Sequence, residues 1–276
     1  MATELATAPA DQLSSETADF YRRTMRKLEQ AGVPFLVGGA YAYARYTGIV
    51  RHTKDFDLFL RPSDFDRGLE VLSRAGYKTD RKFPHWLGKA YEGDAFVDLI
   101  FSSGNGIAEV DEVWFEKAVD EEVLGVPAKL CPPEEIIWSK SFIMERERFD
   151  GGDISHLLRA RAGDLDWDRL LDRFGEHWRV LLTHLILFGY IYPGEVDKIP
   201  APVMEQMLGR LRREVEDPEL LRGAAGICRG TILSRSQYLR DVEEWGYRDA
   251  RRRPMGKMSD EDIAIWTAAA REEGVA

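Results

Sequence analysis

Two aspartates one residue apart, Asp55 and Asp57, alternate with apolar residues in the segment 55–60. In an extended strand, side chains two residues apart leave the same face, so the two carboxylates would stand side by side. Carboxylates held that close repel each other unless a cation lies between them. Hard oxygen ligands favour Mg²⁺ or Mn²⁺, and Mg²⁺ keeps positions for water and substrate phosphates. The spacing therefore predicts a strand that binds a divalent metal ion.

A third acid, Asp98, lies inside the almost continuous apolar segment 94–101. An ionised carboxylate in an apolar strand is costly unless it is paired or bound to a metal ion. We therefore predict that Asp98 is either the third ligand of the same metal site or the base beside it. The alternative is a strand-end acid that makes a salt bridge or caps a turn.

Two glycines, Gly38 and Gly39, end the apolar run 35–37 and precede a helix predicted over roughly residues 40–46. Glycines let backbone N–H groups approach a phosphate closely, and the N-terminus of a helix favours negative charge. The pair is therefore a candidate site for the phosphates of a nucleotide.

Four further residues are candidates for contacts with those phosphates: Arg51, Thr53, Lys54 and Lys140. Arg51 and Lys54 could instead simply offset the charge of the nearby acids, and Lys140 could be a solvated helix residue. Farther along, Arg251-Arg252-Arg253 with Lys257 is either a contact for an RNA backbone or a solvated surface patch.

The elements that position these residues fall into two regions. Strand and helix signals alternate from residue 14 to 131, beginning with a helix that starts at Ser14 or Ser15 and ends at Gln30. From Pro132 to residue 276 the pattern is helical throughout. We predict a disordered tail over residues 1–13, a first domain over 14–131 and a helical C-terminal domain over 132–276.

Composition narrows the class of protein. The 276 residues are 44% hydrophobic, which is enough for a sizeable core, and the net charge of −10 argues against broad binding to nucleic acid or to an anionic membrane. The two cysteines, Cys131 and Cys228, give neither a disulfide framework nor a metal-binding motif. The apolar run 180–192 is too short to span a bilayer. We expect a soluble cytoplasmic protein.

The order of these motifs, Gly38-Gly39, then Asp55-x-Asp57, then Asp98, resembles the nucleotidyltransferase superfamily typified by DNA polymerase beta. It is most similar to the minimal and antibiotic-modifying nucleotidyltransferases and to the nucleotidyltransferase-like toxins of abortive-infection systems, over about residues 30–160. The resemblance implies an α+β fold with a small mixed sheet flanked by helices, and a helical C-terminal region that closes over the nucleotide.

The resemblance also implies roles for particular residues. Gly38 and Gly39 match the glycines that hold the triphosphate, and Asp55, Asp57 and Asp98 match the three carboxylates of the metal site. In the toxin-like group, a lysine followed by an arginine and two spaced acids is similar to the set Lys140, Arg148, Asp150 and Asp153. The linker between the glycines and the first acid is on the long side of the superfamily pattern.

The function implied is a metal-dependent transfer of an NMP from an NTP to an acceptor hydroxyl, with release of pyrophosphate. We expect Mg²⁺ or Mn²⁺ as cofactor, an NTP as substrate and a small molecule as acceptor, with tRNA or a protein as other acceptors. The rival is a non-catalytic or partner-controlled nucleotide-binding module of a toxin–antitoxin system with a protein partner. All three acids are present, which favours catalysis.

Overall fold

The computed structural model describes residues 13–51, 53 and 55–272. These residues divide into two compact units, one ending at Pro132 and the other beginning at Pro133. The predicted boundary lies one residue earlier, and the assignment of the two regions as domains stays a prediction. The predicted disordered tail lies outside the described residues except for Leu13, and Lys54 lies outside them too.

The first unit contains helices and strands in alternation. Its helices are α1 Ser15–Gln30, α2 Gly39–Thr47, α3 Pro62–Arg74 and α4 Glu112–Glu116. Its strands are β1 Leu36–Val37, β2 Asp57–Phe59, β3 Lys78–Phe83, β4 Leu87–Glu92, β5 Ala95–Ile100, β6 Val119–Val123 and β7 Val126–Leu130.

Within the described residues these strands form one mixed sheet in the order β3-β4-β5-β2-β1-β7-β6. Strand β2 pairs in parallel with β5 and antiparallel with β1. Strand β4 pairs antiparallel with β3 and β5, and β7 pairs in parallel with β1 and antiparallel with β6. The predicted α+β class with a small mixed sheet is confirmed.

Local signals explain the ends of these elements. Ser14 caps α1 by accepting a hydrogen bond from the Thr17 N–H, as its position before the periodic apolar residues predicts. Arg61 holds the cap position of α3 because Pro62 begins the helix, where its missing N–H costs nothing. Strand β2 begins at Asp57, so Asp55 precedes the strand.

The second unit is mainly helical, as predicted. Its helices are α5 Pro133–Ser141, α6 Gly151–Arg161, α7 Trp167–Phe174, α8 Trp178–Ile191, α9 Ala201–Glu216, α10 Gly230–Leu233, α11 Leu239–Glu243 and α12 Asp260–Glu272. Two short strands, β8 Ile227–Cys228 and β9 Arg248–Asp249, pair in parallel. Across the described part of the chain, no helix is both long enough and apolar enough to cross a membrane.

The arginines of the cluster 251–253 differ in burial. Arg251 is only 1% exposed, and its Nη2 atom lies 2.6 Å from Asp249 Oδ2. Thr231 Oγ1 donates a second hydrogen bond to Asp249, at 2.8 Å. Burial raises the pKa of Asp249, but Arg251 outweighs burial and holds that pKa below its ordinary value of 3.8. Arg251 is therefore a core residue and not part of a surface patch, whereas Arg252 is exposed and pairs with Asp260.

Replacing Asp249 by alanine is expected to lower the free energy of unfolding by about 3–5 kcal/mol, because Arg251 would keep a buried charge without its partner. Urea unfolding followed by tryptophan fluorescence measures the loss. The matched control is Asp260→Ala, which removes the partner of the exposed Arg252 and is expected to cost about 1 kcal/mol or less. Equal losses in the two variants would contradict the assignment.

The ion pair between Asp249 and Arg251 also makes the free energy of unfolding depend on pH. A carboxyl whose pKa is depressed by folding stabilises the protein fully above its unfolded-state value, here 3.8, and this stabilisation is lost as pH falls through the lower folded-state pKa. We expect the wild type to lose stability below that value. The Asp249→Ala variant lacks this contribution and is expected to lose less over the same pH range.

Candidate active site

Three strands place charged residues in one row across the sheet. Asp57 on β2 is in parallel register with Asp98 on β5, and Asp98 is directly opposite Lys89 on β4. Residues in register on neighbouring strands point to the same face of a sheet. The opposite face carries residues that are fully buried: Leu58, Ala90, Val97 and Leu99. Period-two alternation therefore leaves Asp57, Asp98 and Lys89 together on one face.

Asp55 lies close enough to act electrostatically on Asp98. Its charge contributes to a raised pKa of Asp98, although burial is the larger cause and Lys89 opposes both. The charges of Asp55, Asp57 and Asp98, added to burial, also raise the pKa of the Tyr21 hydroxyl to about 12. The three carboxylates therefore all act on the Tyr21 hydroxyl through their charge.

The backbone before Asp55 is held by Thr53. The Asp55 N–H donates to Thr53 Oγ1 at 3.0 Å, and Thr53 Oγ1 donates to the Asp55 carbonyl at 3.1 Å. Thr53 therefore orients the first acid, in addition to the phosphate contact predicted for it from the sequence.

Asp98 forms a salt bridge with Lys89. The Lys89 Nζ atom lies 2.7 Å from Asp98 Oδ1, and the two side chains are 18% and 12% exposed. The ammonium group also lies 4.0 Å from the centre of the Phe96 ring. The salt bridge that the sequence left open for Asp98 is thus present, and it occurs together with the position beside Asp57.

The two glycines contact strand β2. The Gly38 N–H donates to the Asp57 carbonyl at 3.0 Å. A Cβ atom at Gly38 would overlap the Phe59 ring, and one at Gly39 would overlap Asp57 Oδ2. Gly39 also has a φ of +53°, which disfavours other residues. The glycines are therefore required for close contact with β2, and the phosphate-binding role stays a prediction.

The other candidate cations have partners within their own units. The Arg51 Nη2 atom donates to the Tyr43 hydroxyl at 3.2 Å, and its guanidinium lies 4.6 Å from the centre of the Tyr43 ring. Lys140 belongs to the second unit, where its Nζ lies 2.7 Å from Asp150 Oδ2 and 2.9 Å from Asp153 Oδ2. The predicted nucleotide contacts of Arg51 and Lys140 stay predictions.

The donor chemistry of Asp55 and Asp57 fits a hard divalent ion, since both side chains are carboxylates and neither is fully buried. Asp98 fits less well, because the Lys89 ammonium already occupies its Oδ1 atom. Among the residues that the structure describes, no three or more His, Cys, Asp or Glu side chains are grouped as a ready metal site. Metal binding by the three acids stays a prediction.

The position of Lys89 was not predicted from the sequence. The signal that would have found it is the two-residue turn Gly93-Asp94 between β4 and β5, because such a turn fixes the register of a hairpin. Glu92 pairs with Ala95, and counting back from that pair puts Lys89 opposite Asp98.

Comparison of the sequence with models of known protein families finds one family that matches this chain. The sequence model of a family described as "Uncharacterised nucleotidyltransferase" matches residues 16–187, which is more than half of the chain. The chain belongs to this nucleotidyltransferase family. The predicted resemblance to nucleotidyltransferases is thereby confirmed, and the protein is a nucleotidyltransferase.

Several solved structures are similar to this nucleotidyltransferase. The antibiotic-resistance factor ANT(2'')-Ia is 16% identical with a TM-score of 0.45, covering 62% of this chain and 98% of its own. The lincosamide antibiotic adenylyltransferase LnuA is 14% identical with a TM-score of 0.37, covering 52% and 96%. A nucleotidyltransferase-like protein from Paracoccidioides brasiliensis is 16% identical with a TM-score of 0.41, covering 67% and 93%. No curated protein sequence matches the chain.

Replacing Gly39 by alanine is expected to lower the transfer activity of the nucleotidyltransferase by about 100-fold, because the new Cβ forces the Asp57 carboxylate to turn away. The matched control is Gly48→Ala. Gly48 also has a positive φ, +73°, but a Cβ there meets nothing within 4 Å. Both variants carry a similar backbone strain of about 1–2 kcal/mol, which urea unfolding measures.

Only the Gly39 variant is expected to lose activity, since only there does the added atom reach an acid of the site. If the two variants were equally active, the position of Asp57 would not matter for catalysis.

Proposed function

We propose that this nucleotidyltransferase transfers an NMP from an NTP to a hydroxyl group of a small-molecule acceptor and releases pyrophosphate. The observation that carries the proposal is the in-register placement of Asp57 and Asp98 on neighbouring strands, with Asp55 close enough to act on Asp98. Two carboxylates on one face of the sheet, with a third just before strand β2, suit a reaction that depends on positioning and charge neutralisation.

In this proposal Asp55 and Asp57 hold Mg²⁺ or Mn²⁺. When bound, such an ion neutralises charge on the triphosphate and on the leaving pyrophosphate. Asp57 is held in place for this task by its backbone bond to Gly38 and by the close approach of Gly39.

Asp98 is proposed to accept the proton of the acceptor hydroxyl. Its Oδ1 atom is engaged by Lys89, so Oδ2 is the atom that would take the proton. The acceptor oxygen then forms a bond to the α-phosphorus, the bond between the α-phosphorus and the bridging oxygen breaks, and pyrophosphate leaves. As a third metal ligand, Asp98 would bring the ion towards the Lys89 ammonium, which is unfavourable.

The nucleotide is proposed to lie against the turn between β1 and α2. Gly38 is the N-cap residue of α2 and Gly39 is its first residue, and at this end of a helix the N–H groups of the first turn and the helix dipole favour phosphate oxygens. Arg51, Thr53, Lys54 and Lys140 are the further residues proposed for phosphate contacts.

The preference for a small acceptor is supported by the net charge of −10, which disfavours a nucleic-acid backbone as partner. A tRNA end or a protein side chain is the other acceptor class that labelling tests.

Replacing Asp55 or Asp57 by asparagine is expected to lower metal-dependent transfer by about 1,000-fold or more, because the amide keeps the shape but loses the charge. Circular dichroism and the thermal midpoint are expected to stay near the wild-type values. The matched control is Asp120→Asn on β6, an exposed strand aspartate of the same unit, which is expected to keep full activity. Retained turnover in Asp55→Asn or Asp57→Asn would refute the proposed roles.

The experiment that tests the function incubates the protein with each α-labelled NTP and Mg²⁺, with and without cell extract, and identifies the labelled product. A labelled small molecule together with free pyrophosphate is the expected result. Label on RNA or on a protein would overturn the proposed acceptor class. Binding of NTP without any labelled product would favour the rival, a non-catalytic nucleotide-binding module.

A further inference from the structure

Lys89 stands at the end of the acidic row, next to the residue proposed to take the proton. Its Nζ atom is 2.7 Å from Asp98 Oδ1, and both side chains are mostly buried. The Oδ1 atom of Asp98 has almost no accessible surface, so the part of this side chain that stays accessible lies elsewhere. The ion pair therefore buries the Oδ1 atom of Asp98, and Oδ2 is the oxygen proposed to react.

A second lysine and aspartate on neighbouring strands of the same sheet are paired differently. Lys129 on β7 is directly opposite Asp120 on β6, in the same antiparallel relation that joins Lys89 to Asp98. Yet Lys129 Nζ is 3.9 Å from Asp120 Oδ1, and the two side chains are 51% and 88% exposed. An exposed pair of this kind contributes little to the free energy of unfolding. The buried pair of Lys89 and Asp98 instead fixes the positions of its two side chains.

The side chain of Lys89 is itself restrained. Its ammonium group lies against the ring of Phe96, which is two residues before Asp98 on β5 and faces the same side of the sheet. A lysine held by both a carboxylate and an aromatic ring has few other positions to adopt. The terminal torsion of an aspartate is broad on its own, so an unrestrained carboxylate would turn freely.

We propose that Lys89 is a positioning residue for the transfer reaction, which fixes the Asp98 carboxylate so that Oδ2 faces the acceptor hydroxyl. This inference rests on the proposed function of Asp98. Lys89 acts through Asp98 and touches neither the nucleotide nor the acceptor. Its removal would therefore lower the rate of the chemical step and leave nucleotide binding unchanged.

The test compares Lys89→Met, Lys89→Arg and the control Lys129→Met. Lys89→Met is expected to lower kcat by about 10- to 100-fold, the range typical for loss of a group that orients a reacting one. The KM for NTP and the Kd of a non-hydrolysable NTP analogue, measured by calorimetry without turnover, are expected not to change. Lys89→Arg keeps the charge and is expected to restore most of the rate. Lys129→Met is expected to match the wild type in both measurements.

A double variant separates positioning from simple loss of stability. If Lys89 acts through Asp98, adding Lys89→Met to Asp98→Asn is expected to reduce kcat no further. Additive losses, with no rescue by arginine and a lower thermal midpoint, would mean that Lys89 only stabilises the sheet and would overturn the inference. A raised Kd for the NTP analogue would also overturn it, because Lys89 would then be a nucleotide contact.

Two failures are distinguishable in this design. A wild type that transfers no label from any NTP overturns the proposed function, and the role of Lys89 falls with it. An active wild type with an equally active Lys89→Met variant overturns only the role of Lys89.

Discussion

Asp57 and Asp98 stand directly opposite each other on neighbouring parallel strands, and the repulsion between them is the constraint on which the first unit depends. Two like charges on neighbouring strands repel each other, and the burial of Asp98 adds to the cost of keeping its carboxylate ionised. The sheet offsets part of this cost with Lys89 on the far side of Asp98. On the near side lie Asp55 and Asp57, where the proposed metal ion would add the remaining positive charge.

The order of the strands makes this arrangement possible. Strand β2 lies between β5, which carries Asp98, and β1, which leads into the glycine turn. Its central position therefore brings both neighbours to the Asp57 backbone and side chain. On the other face, Leu58 and Leu99 are fully buried, so the register cannot change without exposing apolar side chains. Packing on one face thus holds the charged groups of the other face in place.

The sequence predicts those structural features that depend on interactions between residues close together in the chain. The limits of α1 follow from its cap and its apolar period. The shared face predicted for Asp55 and Asp57 stays a prediction, because strand β2 begins only at Asp57. The fold class follows from the alternation of strand and helix signals in the first unit together with the resemblance to nucleotidyltransferases.

Residues whose roles depend on the tertiary structure were harder to predict from the sequence. Lys89 looks like an ordinary surface lysine until the hairpin register places it opposite Asp98. Gly39 reads as a phosphate-binding glycine, but its contact with Asp57 joins two elements separated by a long linker. Arg251 lies in a run of three arginines, and although its partner Asp249 is only two residues away, only the tertiary structure shows that the pair is buried. Each case turns on a register, a contact or a degree of burial that appears only in the folded chain.

The turn Gly93-Asp94 joins β4 to β5 with only two residues between the paired Glu92 and Ala95. Exposed turns usually tolerate an inserted or deleted residue, because little packs against them. Here a change of one residue in length would slip the pairing and send Lys89 to the apolar face, away from the acid that it holds. The length of this solvent-exposed turn is therefore as restricted as the identity of the residues in the proposed site.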